Sequence, residues 1–156
     1  MDTFSHSLWG AGLFGGRGKF KLALFFGAFP DISSIGLWLP INWIENGFGK
    51  PELALIPQWV FNHYNFSHSL LVAFTAIALV SLWRKDIAFA MLAWPLHIML
   101  DLPFHSAEFF PTIIFWPVSD FIFDGIPWSN PWVWFSNLGA LVALYLWRWK
   151  TKFFSS

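Results

Sequence analysis

Apolar residues run along this chain in blocks, separated by stretches that carry proline, glycine or charge. Five blocks stand out, at residues 4–16, 20–30, 66–83, 87–102 and 131–149. A helix that crosses a bilayer needs about 20 mostly apolar residues. Blocks 66–83 and 131–149 come close to that length. Blocks 4–16 and 20–30 are short, so they read as tilted helices or half-spans. Pro30 is expected to end the second block, because the residue before a proline disfavours the helical region. Pro95 is expected to kink the fourth. Ser67 suits the N-cap of the third. Two long connections remain, residues 31–65 and 103–130. Both hold several prolines and many aromatics, and long structured loops are usually functional. They are expected to lie over a site as lids. The pattern predicts an all-α chain. It reads as one domain, residues 1–156, a polytopic membrane helix bundle of about four to five hydrophobic segments with two long extracytoplasmic loops.

Composition supports that picture. Of the 156 residues, 56% are hydrophobic and 12% charged, with 12 Trp and 20 Phe. Soluble domains carry about 25% charged residues. Trp38, Trp43, Trp59, Trp83, Trp128, Trp132, Trp147 and Trp149 lie at or near the ends of apolar runs, as interfacial tryptophans do. The expected partner is the lipid bilayer. Net charge is zero and no basic run is long enough to track phosphates, so nucleic acid is not expected as a partner. There is no cysteine, which excludes a disulfide framework and a thiolate metal site. The N-terminus lacks the basic region of a cleavable signal.

The basic residues set an orientation. Arg17, Lys19 and Lys21 follow the first block, Arg84 and Lys85 the third, and Arg148, Lys150 and Lys152 the fifth. Alternating crossings place these eight on one side and leave only Lys50 on the other. Positive charge marks the cytoplasmic side. The N-terminus and both long connections are then outside, and the C-terminus inside.

That topology sorts the chemistry. The chain has five histidines. His6 is at the outer end of block one, and Asp31 at the outer end of block two. His63 and His68 lie at the start of block three. Asp101 and His105 end block four, with His97 one turn deeper, about 6 Å along a helix. All seven share one face, although the charges alone fixed the orientation. Imidazoles and carboxylates in apolar segments are costly unless something binds them, and both are good ligands for zinc-like ions. His97 and Asp101, four apart, project from one helix face. Each group also has a plainer reading: a His–Asp hydrogen bond within a bundle, a cap with two interfacial histidines, a helix-ending aspartate, a solvated His105. All of these must hold at once if no metal is bound. Glu108 or Asp120 could add a further ligand or a base, and each is equally well a solvated loop carboxylate.

On these residues the chain resembles the YdjM-like family of membrane-bound metal-dependent hydrolases. The matching pieces are Thr3-Phe4-Ser5-His6, Phe29-Pro30-Asp31-Ile32, His63-Tyr64-Asn65-Phe66-Ser67-His68-Ser69-Leu70, His97-Ile98-Met99-Leu100-Asp101 and Trp116-Pro117. Tyr64 stands where the family has Arg, Ser67 where it has Thr, and Phe104-His105 where it has Thr-Pro. The order of ligands is also similar, more distantly, to zinc-dependent phospholipase C and its nuclease relatives. The resemblance implies a metal-dependent hydrolase of a bacterial inner (cytoplasmic) membrane. The metal ligands would be His6, His63, His68, His97, Asp101 and His105. Asp31 would be a catalytic base or a further ligand. The cofactor would be a divalent metal, one to three ions of zinc, with manganese or iron as substitutes. The site at the membrane face would act on a phosphoester or lipid-linked ester. Two other functions use the same ligands: a membrane metal-ion transporter or sensor, and a non-catalytic scaffold with a structural metal site. A transport path should place polar groups at several depths. A structural site should need only four ligands.

Overall fold

The computed structural model describes residues 1–49, 51–108 and 110–151, and every regular element among them is helical. The helices are α1 (Thr3–Phe14), α2 (Phe20–Ser33), α3 (Ile35–Asn46), α4 (Gln58–Ser67), α5 (Leu70–Ser81), α6 (Lys85–Met91), α7 (Ala93–Asp101) and α8 (Pro131–Lys150). Short 3-10 turns occupy Leu53–Leu55 and Leu102–Phe104. Lys50 and Lys152, used above in the charge pattern, lie outside the described residues.

Lys85–Phe104 is long and apolar enough to cross a membrane. The pairs α2–α3 and α4–α5 pass the same test together but bend by 53° and 55°, so one span becomes up to three if each bent pair counts as one. The five crossings expected from the sequence are thus regrouped. The 12 residues of α1 fall short of the length a span needs. Block 131–149 does form one uninterrupted helix of 20 residues, α8.

Three expectations fail locally, each for a physical reason. Pro30 does not end its helix; α2 runs on to Ser33. The turn beyond the proline is tied down by hydroxyls, since Ser34 Oγ donates to the Pro30 carbonyl at 2.7 Å and Ser33 Oγ at 3.2 Å. Serine hydroxyls of this kind let a proline persist inside an apolar helix. Residues 35–46 are not loop but helix α3, with Pro40 inside it. Block 66–83 is not one helix. His68 N–H donates to the Tyr64 carbonyl to close α4, and Ser69, not Ser67, caps α5 by accepting from Val72 N–H. Ser67 Oγ instead donates to the Pro30 carbonyl at 3.1 Å. Pro95 sits in the first turn of α7, where a missing N–H costs nothing. Its ring opposes the carbonyl of Met91, and the helix breaks at Leu92, beside that clash.

Small residues hold the centre together. A Cβ on Gly10 would lie 2.7 Å from Ala93 Cβ and 2.8 Å from the Ala23 carbonyl, and one on Gly27 would lie 2.5 Å from the His6 carbonyl. Helices α1, α2 and α7 therefore cross at backbone contact, as small residues permit. Helix α8 lies against α1 through a polar seam: Trp9 Nε1 donates to Asn137 Oδ1, Asn137 Nδ2 to Ser5 Oγ, and Tyr145 OH to the Leu8 carbonyl. The outside is apolar, with Phe4, Ile44, Phe74, Leu79, Phe135 and Leu146 each at least half exposed.

Among the described residues, Lys19, Arg84 and Arg148 gather at one end. Lys19 Nζ reaches Asp86 at 2.6 Å, Arg84 reaches the same carboxylate at 3.3 Å, and Arg148 Nε donates to the Gly12 carbonyl at 2.8 Å. From Lys85 to Asp101 the chain rises 16 residues, about 24 Å of helix. The histidines and aspartates of interest are at that far end.

Candidate metal centre

Four side chains from four helical positions meet in the interior. Asp31 comes from the last turn of α2, His68 from the break between α4 and α5, and His97 and Asp101 from successive turns of α7. All four are buried, and one ligand atom from each lies within 4.8 Å of the others. His68 Nε2 is 3.2 Å from His97 Nε2. Asp31 Oδ1 is 3.5 Å from both of these nitrogens. Asp101 Oδ2 is 3.0 Å from His97 Nε2 and 3.6 Å from His68 Nε2.

The far side of each ring shows what those nitrogens carry. His97 Nδ1 is 2.7 Å from the Gly27 carbonyl, and His68 Nδ1 is 3.0 Å from the Tyr64 carbonyl. A carbonyl can only accept, so Nδ1 carries the proton in both rings. In the neutral rings both Nε2 atoms then present lone pairs to each other and to two carboxylate oxygens. While both rings stay neutral nothing among these four atoms can donate, so the arrangement calls for a cation between them, a proton or a metal ion. Tying Nδ1–H to a backbone carbonyl is the usual way a ligating histidine is oriented. The spacing also fits. Ligands at about 2.0–2.1 Å from a tetrahedral zinc are about 3.3–3.4 Å apart, close to the five separations above. These four residues form a group that could hold a metal ion.

A second pair of imidazoles leans on Asp101. His6 Nε2 is 2.8 Å from Asp101 Oδ1, and His105 Nε2 is 3.2 Å from the same oxygen. The Met1 amino group also sits on Asp101 Oδ1. His105 Nδ1 lies 2.9 Å from the Phe110 carbonyl, the same arrangement seen at His68 and His97. The ring of His6 stacks on that of His97 with centroids 3.7 Å apart. Asp101 thus offers one oxygen to each pair of imidazoles, and its side chain is fully buried. His6 Nδ1, Asp101 Oδ2 and His105 Nε2 are buried without a hydrogen-bond partner. Orphaned buried polar atoms are rare in native proteins and ask for an explanation.

Asp31 differs from the other three. Its side chain is 12% exposed and it lines a cavity of about 970 Å³, together with Thr3, Tyr64, His105, Glu108 and Trp128 among others. Thr3 Oγ1 donates to Asp31 Oδ2 at 2.7 Å, leaving Oδ1 turned towards the imidazoles. The 103–130 connection supplies much of the cavity wall, as expected of a lid. It folds back on itself, with Gly125 N–H donating to the His105 carbonyl and Trp128 N–H to the Phe104 carbonyl.

Nothing matches this chain among protein-family models, curated proteins or solved structures. The site has to be read from its own atoms.

Of the seven residues singled out in the sequence, six are brought together: His6, Asp31, His68, His97, Asp101 and His105. His63 is not. It is exposed on α4, with its ring beside Phe66. One residue on a helix is about 100° of rotation, and it is the next residue, Tyr64, that faces inward. Tyr64 stacks on His68 at 3.7 Å, and its hydroxyl contacts Thr112 and the Phe110 carbonyl. Glu108 reaches the cavity wall, while Asp120 is exposed and is not among the cavity-lining residues; Asp124 accepts from Ala107 N–H. Sequence reasoning missed Thr3, Tyr64 as a stacking partner, and the Gly27 carbonyl. The first two lay within quoted motifs, and the Gly27 carbonyl did not. His63→Ala should therefore leave bound metal at the wild-type amount, measured by elemental analysis. A loss as large as that of His68→Ala would put His63 back in the site.

Proposed function

We propose that this protein is a membrane-embedded, metal-dependent hydrolase of phosphoesters or lipid-linked esters, with its site at the extracytoplasmic face. One observation carries the reading. Two imidazole nitrogens and two carboxylate oxygens converge in the interior at the spacing of metal ligands, beside a cavity large enough for a substrate. Asp31, His68, His97 and Asp101 would hold one ion. His6 and His105, with the other oxygen of Asp101, would hold a second. An ion bound there supplies Lewis acidity to an ester oxygen and makes water acidic enough to react near neutral pH.

The chain's own residues do the rest. The backbone carbonyls of Gly27, Tyr64 and Phe110 fix three rings with Nε2 inward. Thr3 holds one oxygen of Asp31 and so aims the other. As the carboxylate that meets both the imidazoles and the cavity, Asp31 is placed to hold a proton during the reaction. The apolar exterior and the basic end about 24 Å away support a membrane helix bundle with the site outside and the C-terminus inside. A bacterial inner membrane fits that reading. Close packing at Gly10, Ala23, Gly27 and Ala93 supports a hydrolase over a transporter, because it leaves no room for an ion between α1, α2 and α7.

Elemental analysis of detergent-purified protein tests this. One to three equivalents of zinc, manganese or iron are expected, lost in His68→Ala, with release of product from phosphoester lipids only by the loaded protein. A folded protein that takes up no added metal would overturn the proposal.

A further inference from the structure

A second cavity, about 430 Å³, lies beside the first and between α8 and the α1–α7 pair. Its walls include Trp9, Leu100, Trp132, Val133 and Ala140, and both cavities share Met1 and Phe104. It holds one amide, that of Asn137, whose oxygen accepts from Trp9 Nε1 and whose nitrogen donates to Ser5. With both ends of the amide used, Ser136 supplies the remaining side-chain hydroxyl of a lining that is otherwise mostly apolar. Its rim is on the apolar outside of the molecule, where Trp132 is 84% exposed. The groove thus runs from the apolar surface to Met1 and Phe104, the wall it shares with the chamber that Asp31 and His105 line.

We infer that this groove holds an acyl chain of the substrate, which is a membrane lipid that enters sideways from the bilayer. This rests on the hydrolase reading above and narrows its substrate to a lipid. The headgroup ester would lie in the larger cavity against Asp31, and the chain would pass Phe104 and run along α8. Three features single out an alkyl chain as the occupant. The walls are mostly apolar, the outer opening is on the apolar exterior, and the inner end abuts the chamber of the candidate site at Met1 and Phe104. A water-soluble substrate would need none of them.

The test uses full-length protein in detergent with a phosphatidylethanolamine that carries a diazirine at the end of one acyl chain. Labelling is expected on α8 around Val133 and Ala140 and on α7 at Leu100. Ala140 is exposed on α8, so Ala140→Trp fills the groove without touching the metal ligands, and it should cut that labelling at least tenfold. Labelling of the outer face of α5, at Phe74 and Leu79, should not change. Val133→Trp provides an independent block, and unchanged metal content certifies the fold of either variant. Equal labelling of α8 and α5 that neither variant alters would overturn the inference. Groove labelling that the variants abolish in a protein free of metal would keep the acyl site and sink the hydrolase reading instead.

Discussion

Asp101→Asn should yield a folded protein with less than about a tenth of the wild-type metal, because a four-ligand site that loses one charged ligand loses most of its affinity. The change keeps the shape of the side chain, so packing is preserved. It removes the charge shared by His6 and His105 at one oxygen and by His68 and His97 at the other. It also puts an N–H₂ beside the imidazole lone pairs. That donor would satisfy the nitrogens that otherwise need a cation. Elemental analysis beside circular dichroism reads the result. Full helicity with no metal is the expected outcome. Full metal in the Asn variant would mean that Asp101 is only a hydrogen-bond acceptor, and the two-ion arrangement would fall.

Gly27→Ala should damage the site from a distance. The added methyl would lie 2.5 Å from the His6 carbonyl and 3.0 Å from Ser7 Cα, both main-chain atoms. Neither can swing away, so α1 must shift from α2. Overpacking of this sort costs about 1–3 kcal/mol, and for a chain of this size each kcal/mol lowers Tm by about 2–4 °C. The shift also moves His6 itself and the Gly27 carbonyl that orients His97. Disturbing such an orienting contact lowers metal affinity by about 10–100-fold. Melting in detergent and competition with a zinc chelator measure the two effects. A normal melt and normal affinity would mean that α1 is free to move without consequence.

The site was more legible in the sequence than the fold around it. Imidazoles and carboxylates stand out against apolar runs, and six of the seven singled out do converge. His63 misled because it shares a motif with His68. Spacing along a sequence does not carry across a helix break, and the break at His68–Ser69 is held by contacts of Ser67, Ser69 and Leu70 with α2, α7 and the 103–130 connection. The same holds at Pro30. A proline's local preference ends a helix, but Ser34 from the next element and Ser67 from α4 take over its carbonyl. Helix α3 was hidden for a related reason, since Pro40 and the glycines that follow Asn46 read as loop. Block 131–149 was read correctly as one helix because nothing interrupts it, although it is not among the stretches apolar enough to cross a membrane. In short, periodicity reports what one segment does alone, and the bent pairs are made by contacts between segments.

Those shared contacts have a kinetic side. The Pro30 carbonyl receives hydroxyls from Ser34 beside one bend and from Ser67 beside the other. Trp94 Nε1 fastens the second bend to α7 through the Ser67 carbonyl at 2.7 Å. Asp31 and His68 flank this one joint, so neither can swing outward while the other stays. An ion held between them could lose both of these ligands only if the joint opened as a unit. Its residence time would follow the rate of that opening, and exchange with free metal would be slow even where the equilibrium affinity is modest.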